Sequence, residues 1–279
     1  MGKKVTFLTV LKMAGIGAIG GALGIGGAWL ACDLIDNHFS SMSQGLPLLA
    51  PGVHMKSGDH NIVITDQFCE LLSYGTTQED EYLVMNSFKE STKNLNQYNS
   101  KLNFNLCTTD STIAEKYDIT YVDSVKKDDI TLYATEGVLS NNPGVMGNTD
   151  WDYDFFTHEM KDLSITFRKK YLLQVWTMKD TIEGTLNPYN CAAYTTFSHE
   201  MMHCLGFAHI DDQESIMNTL CTLTSPKDFT TYDIQLMDKY NVQFYNAEPT
   251  YYVSTTNDAS SSYTTSYVDT NNSNKDYTY

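Results

Sequence analysis

The spacing of three histidines in the segment HEMMHCLGFAH constrains this chain more than any other feature. Residues four apart on an α-helix project from one face, so His199 and His203 can direct two imidazoles at one point. Gly206 can adopt the left-handed conformation that ends a helix and turns the chain back. His209 then approaches the same point from the far side. The segment therefore predicts a helix, a sharp turn and a shared ion.

Three neutral imidazoles are typical of a catalytic zinc site, because the fourth tetrahedral position stays open for water. A structural zinc would need a fourth protein ligand. Glu200 follows the first histidine, which places its carboxylate where it can take a proton from that water. We therefore expect Zn²⁺ as the cofactor, with His199, His203 and His209 as ligands and Glu200 as general base.

At these residues the sequence resembles the metzincin family of zinc endopeptidases. The residues that match its extended motif without a gap are His199, Glu200, His203, Gly206 and His209. SIMN resembles the family's Met-turn, with Met217 as the methionine beneath the metal. The matrixin branch is the most similar, in the spacing to Met217, in GVMGNT followed by LSITF, and in TTYDIQLMDKY, which resembles the last matrixin helix.

Three features depart from the matrixin pattern. Ile210 follows the last histidine where matrixins usually carry serine, and no proline-flanked cysteine-switch segment precedes the domain. Asp150, Asp152 and Asp154 stand where matrixins hold a second zinc. These carboxylates could bind Ca²⁺, but Phe155 replaces the glycine of an EF-hand loop and no glutamate occupies its twelfth position. A solvated acidic loop is the favoured interpretation.

The resemblance covers residues 58–245 and implies a mixed α/β (α+β) fold with a twisted mixed sheet, an active-site helix and a C-terminal helix. It implies a zinc metalloendopeptidase that hydrolyses peptide bonds of extracellular proteins, with a protein or peptide as its partner. Two alternatives stay open: a zinc-binding cell-surface interaction protein without hydrolytic activity, and a zinc-dependent hydrolase of a different bond. The intact Glu200 argues against the first, since a site that only binds has no need of a base.

Local patterns predict the elements around the motif. Strands are expected at NIVITD, KLNFNLC, DITYVDSV, DDITLYAT and LSITFRKKYLLQVW. Helices are expected at QEDEYLVMNSFKESTKNLNQY, CAAYTTFSHEMMHCL and TTYDIQLMDKYN. SNNPGVMGNTDWDYD is expected to be a turn-rich loop.

The ends of the chain differ from its middle. Lysines precede a run of uncharged, mostly apolar residues at 13–31, so residues 1–31 predict a membrane anchor or signal segment with the rest of the chain exported. An uncleaved transmembrane anchor, a cleaved signal and lipidation of Cys32 stay open. Residues 32–57 are expected to be a linker, and 246–279 a disordered tail rich in Ser, Thr, Asn and Tyr.

The net charge and the cysteines limit which partners, cysteine zinc sites and disulfide bonds the chain can have. The formal net charge of −16 excludes nucleic-acid phosphates as the main partner. Six cysteines occur, and none of their spacings resembles a CxxC zinc site. A disulfide bond between Cys191 and Cys221, which flank the histidine motif, stays open.

Overall fold

The computed structural model describes residues 44–174, 191–210, 214–219 and 226–248. It also describes His38 and the backbone of four two-residue strands, β7 Thr181–Ile182, β8 Thr185–Leu186, β9 Tyr251–Tyr252 and β10 Ser266–Tyr267. β7 pairs with β8, and β9 with β10, both in antiparallel fashion.

A six-stranded mixed sheet organises the domain. Its strands are β1 Gly58–Ile64, β2 Leu102–Thr108, β3 Thr120–Tyr121, β4 Ile130–Thr135, β5 Gly147–Tyr153 and β6 Met160–Arg168. Their order in the sheet is β3-β2-β1-β4-β6-β5. All neighbours are parallel except β5, which is antiparallel to β6 and forms one edge.

The patterns of the strands explain their places. β1 carries the consecutive buried residues Ile62, Val63 and Ile64, as expected for a parallel strand covered on both faces. β2 buries Leu102 and Phe104 and exposes the asparagine between them, which is the alternation of a strand with one solvated face.

The described part of the chain forms six helices. They are α1 Asp66–Ser73, α2 Gln78–Tyr98, α3 Ser111–Tyr117, α4 Lys169–Leu172, α5 Ala192–Cys204 and α6 Thr231–Tyr245. Threonine hydroxyls cap two of them by accepting amide protons from the first turn, Thr65 at α1 and Thr77 at α2. α6 begins with a capping box formed by Thr230 and Asp233.

Aromatic packing fixes the helix that carries the histidine motif against the rest of the core. Phe88 of α2 stacks on Phe197 of α5 with ring centroids 4.4 Å apart, and Phe167 of β6 lies 5.4 Å from Phe88. All three rings are fully buried. Full burial of one such side chain stabilises a fold by about 1.5–3 kcal/mol. The predicted fold class, a mixed α/β domain with an active-site helix and a C-terminal helix, is confirmed.

The expected turn-rich loop is only partly a loop. Residues 147–153 pair with β6 and become the edge strand β5, with a register shift between Asp150 and Asp152. Both aspartates are exposed on this strand. Tertiary pairing with an apolar neighbour overrides the polar local composition.

The described part of the expected linker is packed on the domain. Val53 and Met55 are almost fully buried, and His54 forms a parallel bridge with Glu159 beside β6. Residues 44–57 therefore belong to the fold rather than to a free connection. Their proline and glycine residues supply turns at 51–52 between packed positions.

The prediction of a transmembrane segment is corrected. Within the ranges that the structure describes, no helix combines the length and the apolar character needed to cross a membrane. Residues 13–31, from which that segment was predicted, lie outside those ranges, as does Cys32. Most of the expected tail, 246–279, also lies outside them.

The described cysteines are buried thiols. Cys69, Cys107, Cys191 and Cys204 are free. Cys191 donates a hydrogen bond from its thiol to the Leu172 carbonyl at 3.3 Å. Cys221, the other member of the disulfide bond left open above, lies outside the described residues. Burial raises the pKa of the Cys69 and Cys107 thiols to about 12, which keeps both protonated.

Candidate metal centre

The three predicted histidines converge at the C-terminal end of α5. The Nε2 atom of His209 lies 3.2 Å from Nε2 of His203 and 3.2 Å from Nε2 of His199. Among the described residues, this triad is the one group of three or more metal-binding side chains whose ligand atoms cluster, all within 4.8 Å of one another. Gly206 has a φ of 97° and turns the chain after α5, as its position predicts.

Backbone carbonyls set the protonation of two of these rings. Nδ1 of His199 lies 2.7 Å from the Ile216 carbonyl, and Nδ1 of His203 lies 2.7 Å from the Phe207 carbonyl. A carbonyl oxygen only accepts, so each Nδ1 carries the proton and each Nε2 presents a lone pair. Such outer hydrogen bonds are what orient metal-binding histidines.

Burial keeps both rings neutral. It lowers the pKa of His199 and of His203 to about 4, an effect only partly opposed by the hydrogen bonds to the Ile216 and Phe207 carbonyls. A neutral imidazole is the form that binds a metal. The two rings are therefore ready ligands at neutral pH.

The donor set fits zinc. Tetrahedral Zn²⁺ with Zn–N bonds of about 2.0–2.1 Å separates two ligand nitrogens by about 3.3 Å. The two Nε2 separations of 3.2 Å match that geometry. Among the described residues the cluster holds three imidazoles, and a tetrahedral ion bound by three ligands has one position for another molecule, as catalytic zinc sites do.

Met217 lies in a tight turn next to Ile216, whose carbonyl contacts His199. Its side chain is fully buried, its amide donates to the Ser215 hydroxyl at 3.0 Å, and its carbonyl accepts from the Ile210 amide at 3.0 Å. Asp233 holds this turn, because its carboxylate accepts the Ile216 amide at 3.0 Å and the Ser215 hydroxyl. Asp233 of α6 thus fixes Ile216, whose carbonyl orients His199.

Glu200 lies on the inner side of the same helix, under the edge strand. The Thr149 hydroxyl donates to its Oε2 at 2.7 Å. Gly147 packs directly against it, since a Cβ on Gly147 would lie 2.7 Å from Oε1 and 2.8 Å from Cγ. β5 thus presents two same-face residues, two positions apart, that hold the carboxylate.

Burial raises the pKa of Glu200, whereas its neighbour His203 and the hydrogen bond from Thr149 lower it in part. A carboxylate with a raised pKa accepts a proton more readily than an exposed one. Glu200 therefore has the electrostatic setting of a proton acceptor.

Polar contacts along the buried face of α5 fix its position. The Tyr194 hydroxyl donates to Asp228, and Asn94 of α2 donates to the Tyr194 oxygen at 2.8 Å. The hydroxyls of Ser91 and Ser198 lie 2.6 Å apart. Because α5 is held on both α2 and the segment before α6, its two histidines cannot shift independently of the core.

The aspartate triplet forms no ion site. Asp150 and Asp152 are exposed on β5, and Asp154 uses Oδ1 to accept the Phe156 and Thr157 amides at 2.8 and 3.1 Å. These three carboxylates are absent from the clusters that could hold a metal among the described residues. Calcium is therefore unsupported, and the interpretation of solvated acids fits the structure.

Sequence patterns missed the supports of the site. Gly147, Thr149 and Asp233 act through tertiary contacts with residues distant in sequence. The one available signal was the similarity of GVMGNT to the edge-strand region of matrixins, which includes Gly147 and Thr149 but gave neither a role.

Comparisons with known proteins add little to this geometry. No family model matches the chain, and no curated protein matches it. One similar solved structure is that of metalloproteinase-II from Bacteroides fragilis, with 11% identity and a TM-score of 0.36 over 72% of this chain. The match spans 58% of that protein's length. A likeness this low supports neither a family nor an activity for this chain.

Proposed function

We propose that this protein is a zinc-dependent metalloendopeptidase of the matrixin-like branch. The observation that carries the proposal is the convergence of three histidine Nε2 atoms, with separations of 3.2 Å, beside a buried carboxylate held by an edge strand. The ligand roles of His199, His203 and His209 belong to the proposal, as does the support by Met217.

Zinc, when bound, supplies a Lewis acid that polarises a carbonyl and lowers the pKa of a water molecule. Glu200 accepts the proton of that water and returns it to the leaving amine, so it acts first as base and then as acid. The hydrogen bond from Thr149 fixes the Oε2 atom of Glu200 and leaves Oε1 to accept this proton. General acid–base catalysis of this kind contributes about 10²–10⁴-fold to a rate.

A peptide is the substrate that suits this arrangement. β5 is the outermost strand of the sheet, and its residues Gly147 and Thr149 contact Glu200. An extended peptide can pair with the outer edge of such a strand, which carries the residues that contact Glu200. This arrangement favours proteolysis over hydrolysis of another bond. Export of the domain stays a prediction from residues 1–31.

Cleavage of a mixed peptide library by the full chain tests the proposal. The wild type is compared with Glu200→Ala and with a chelated sample that is then reloaded with zinc. We expect cleavage by the wild type alone, its loss on chelation and its return with zinc. The cleavage sites would report the sequence preference in the same experiment.

The informative contrary result is a wild type that holds one zinc per chain and cuts no peptide. That outcome would favour the zinc-binding interaction protein without hydrolysis. A control variant, Glu115→Gln, alters an exposed carboxylate on α3 and should cut as the wild type does.

A further inference from the structure

A segment that the sequence marks as a linker crosses the end of the active-site helix. We call residues 46–55 the strap. The Leu49 amide donates to the Gly206 carbonyl at 2.8 Å, and the Ala208 amide donates to the Pro47 carbonyl at 2.7 Å. Between these bonds, Leu48 and Phe207 form an antiparallel bridge. The strap therefore pairs with the turn at 206–208 as a short strand would.

That turn is also part of the histidine triad. The Phe207 carbonyl accepts the hydrogen bond from His203 Nδ1 at 2.7 Å. Ala208, whose amide is bound to the strap, directly precedes His209. Three consecutive residues thus contact the strap on one side and set two of the three imidazoles on the other.

The glycine of the motif allows this close approach. A Cβ on Gly206 would lie 2.9 Å from the Val53 carbonyl oxygen, which is closer than real side chains come. Gly206 also has a φ of 97°, which only glycine adopts readily. The motif therefore needs a glycine both for the turn and for the strap beside it.

The far end of the strap is anchored to α6 and β6. The Met55 amide donates to the Tyr240 hydroxyl at 2.8 Å, and the Tyr245 hydroxyl donates to the Met55 carbonyl at 2.6 Å. The Met160 amide donates to the His54 carbonyl at 2.8 Å. Because α6 and β6 hold the strap in place, the turn at 206–208 cannot move without breaking its hydrogen bonds to the strap.

We propose that the strap is a structural part of the metal centre, which positions His203 and His209 for zinc and is itself held in place when zinc is bound. Linkage between two sites is reciprocal, so a strap that raises zinc affinity must be stabilised by zinc to the same extent. This inference rests on the proposed zinc site and is independent of hydrolysis.

Amide hydrogen exchange on the wild-type chain tests the reciprocal effect. The Leu49 and Ala208 amides should exchange more slowly with zinc bound than after chelation. The Val122 amide, which bonds to the Thr108 carbonyl at the opposite edge of the sheet, reports local openings that leave the triad intact. The proposal requires a larger zinc effect at Leu49 and Ala208 than at Val122. Equal effects at all three would overturn it.

A proline substitution tests the forward effect. Leu49→Pro removes the amide that bonds to Gly206, and Ser124→Pro is the matched control in the exposed connection between β3 and β4. Direct hydrogen-bond partners of metal-binding histidines change affinity by about 10–100-fold. The strap acts one contact further out, so we expect the zinc Kd to rise roughly tenfold for Leu49→Pro and to stay unchanged for Ser124→Pro.

Zinc affinity would be measured by competition with a chelator, and folding by circular dichroism. If Leu49→Pro folds and binds zinc with wild-type affinity, the role of the strap is contradicted and the proposed zinc site is not. A wild type that binds no zinc would instead remove the proposed function. If Leu49→Pro does not fold, the exchange comparison on the wild type decides.

Discussion

Asp233 on α6 and His199 on α5 are connected through a single residue, Ile216. The Ile216 amide donates to Asp233 Oδ2 at 3.0 Å, and the Ile216 carbonyl accepts from His199 Nδ1 at 2.7 Å. Asp233 is fully buried, and it also accepts the Thr230 amide at 2.9 Å. The orientation of the first histidine therefore depends on a carboxylate of the last described helix.

Asp233→Asn should weaken both the fold and the metal site. The amide nitrogen that replaces one carboxylate oxygen cannot accept the donors that converge there. We expect a loss of about 1–3 kcal/mol in the free energy of unfolding and a roughly tenfold rise in the zinc Kd. Denaturant unfolding and chelator competition would measure these. Asp123→Asn, at an exposed aspartate, is the control. Unchanged zinc affinity in Asp233→Asn would refute the connection.

Thr149→Val keeps the shape of the side chain and removes the donor to Glu200. The carboxylate would lose the hydrogen bond that points it, so we expect kcat to fall roughly tenfold with zinc content unchanged. Steady-state peptide cleavage and metal analysis on one sample would separate the two effects. Thr131→Val, whose hydroxyl donates to the Leu163 carbonyl in the sheet, should leave kcat near the wild-type value. A Thr149→Val enzyme with full kcat would show that Glu200 needs no such support.

Gly147→Ala should displace the Glu200 side chain. The new methyl group would lie 2.7 Å from Oε1, 2.8 Å from Cγ and 2.9 Å from Cδ, so the side chain has to move. A misplacement of about 1 Å costs about 10²-fold in rate, and we expect a loss of that size in kcat/KM. Gly144→Ala is the control in the loop before β5, where the nearest atom to a Cβ is Asn142 Oδ1 at 3.3 Å. Equal activity of both variants would exclude a close contact between Gly147 and Glu200.

Glu81 should make part of the stability depend on pH. Burial alone would raise its pKa, but hydrogen bonds from the Lys116 ammonium at 2.6 Å and the Tyr117 hydroxyl at 2.8 Å outweigh burial and lower the pKa. A carboxylate whose pKa is lower in the folded state adds stability above its unfolded pKa of about 4.3. That stability is lost as the pH falls through the folded pKa.

Glu81→Gln should therefore lower the free energy of unfolding at pH 7 by about 1–3 kcal/mol, and the difference from the wild type should shrink below about pH 4. Denaturant unfolding at pH 7 and pH 3 would show this. Glu115→Gln on the same surface should cause little change at either pH. A Glu81→Gln difference that is equal at both values would mean that ionisation of Glu81 contributes nothing.

Local patterns predicted the elements with strong periodicity. The helix expected at 78–98 has those bounds, and the alternation in β2 matches its buried face. Gly206 predicted the end of α5, which closes at Cys204 just before it, and the histidine spacing predicted the convergence of the three rings. These features depend on residues a few positions apart, so the sequence contains the information directly.

Local patterns failed where distant segments pair. The residues of β5 are mostly polar, and they form a strand because β6 lies beside them. The strap resembles a linker because its prolines and glycines suit turns, yet it packs under Gly206. The roles of Thr149 and Asp233 likewise arise from contacts across the fold, which local periodicity does not encode.

The central claim is that one zinc held by three histidines works with Glu200 to hydrolyse peptides. The most direct test compares the peptide cleavage rate of wild type and Glu200→Gln after each has been loaded with zinc and its metal content measured. We predict one zinc per chain in both proteins and a rate at least about 10²-fold lower in Glu200→Gln. Cleavage by Glu200→Gln at the wild-type rate, or no cleavage by a fully loaded wild type, would contradict the account.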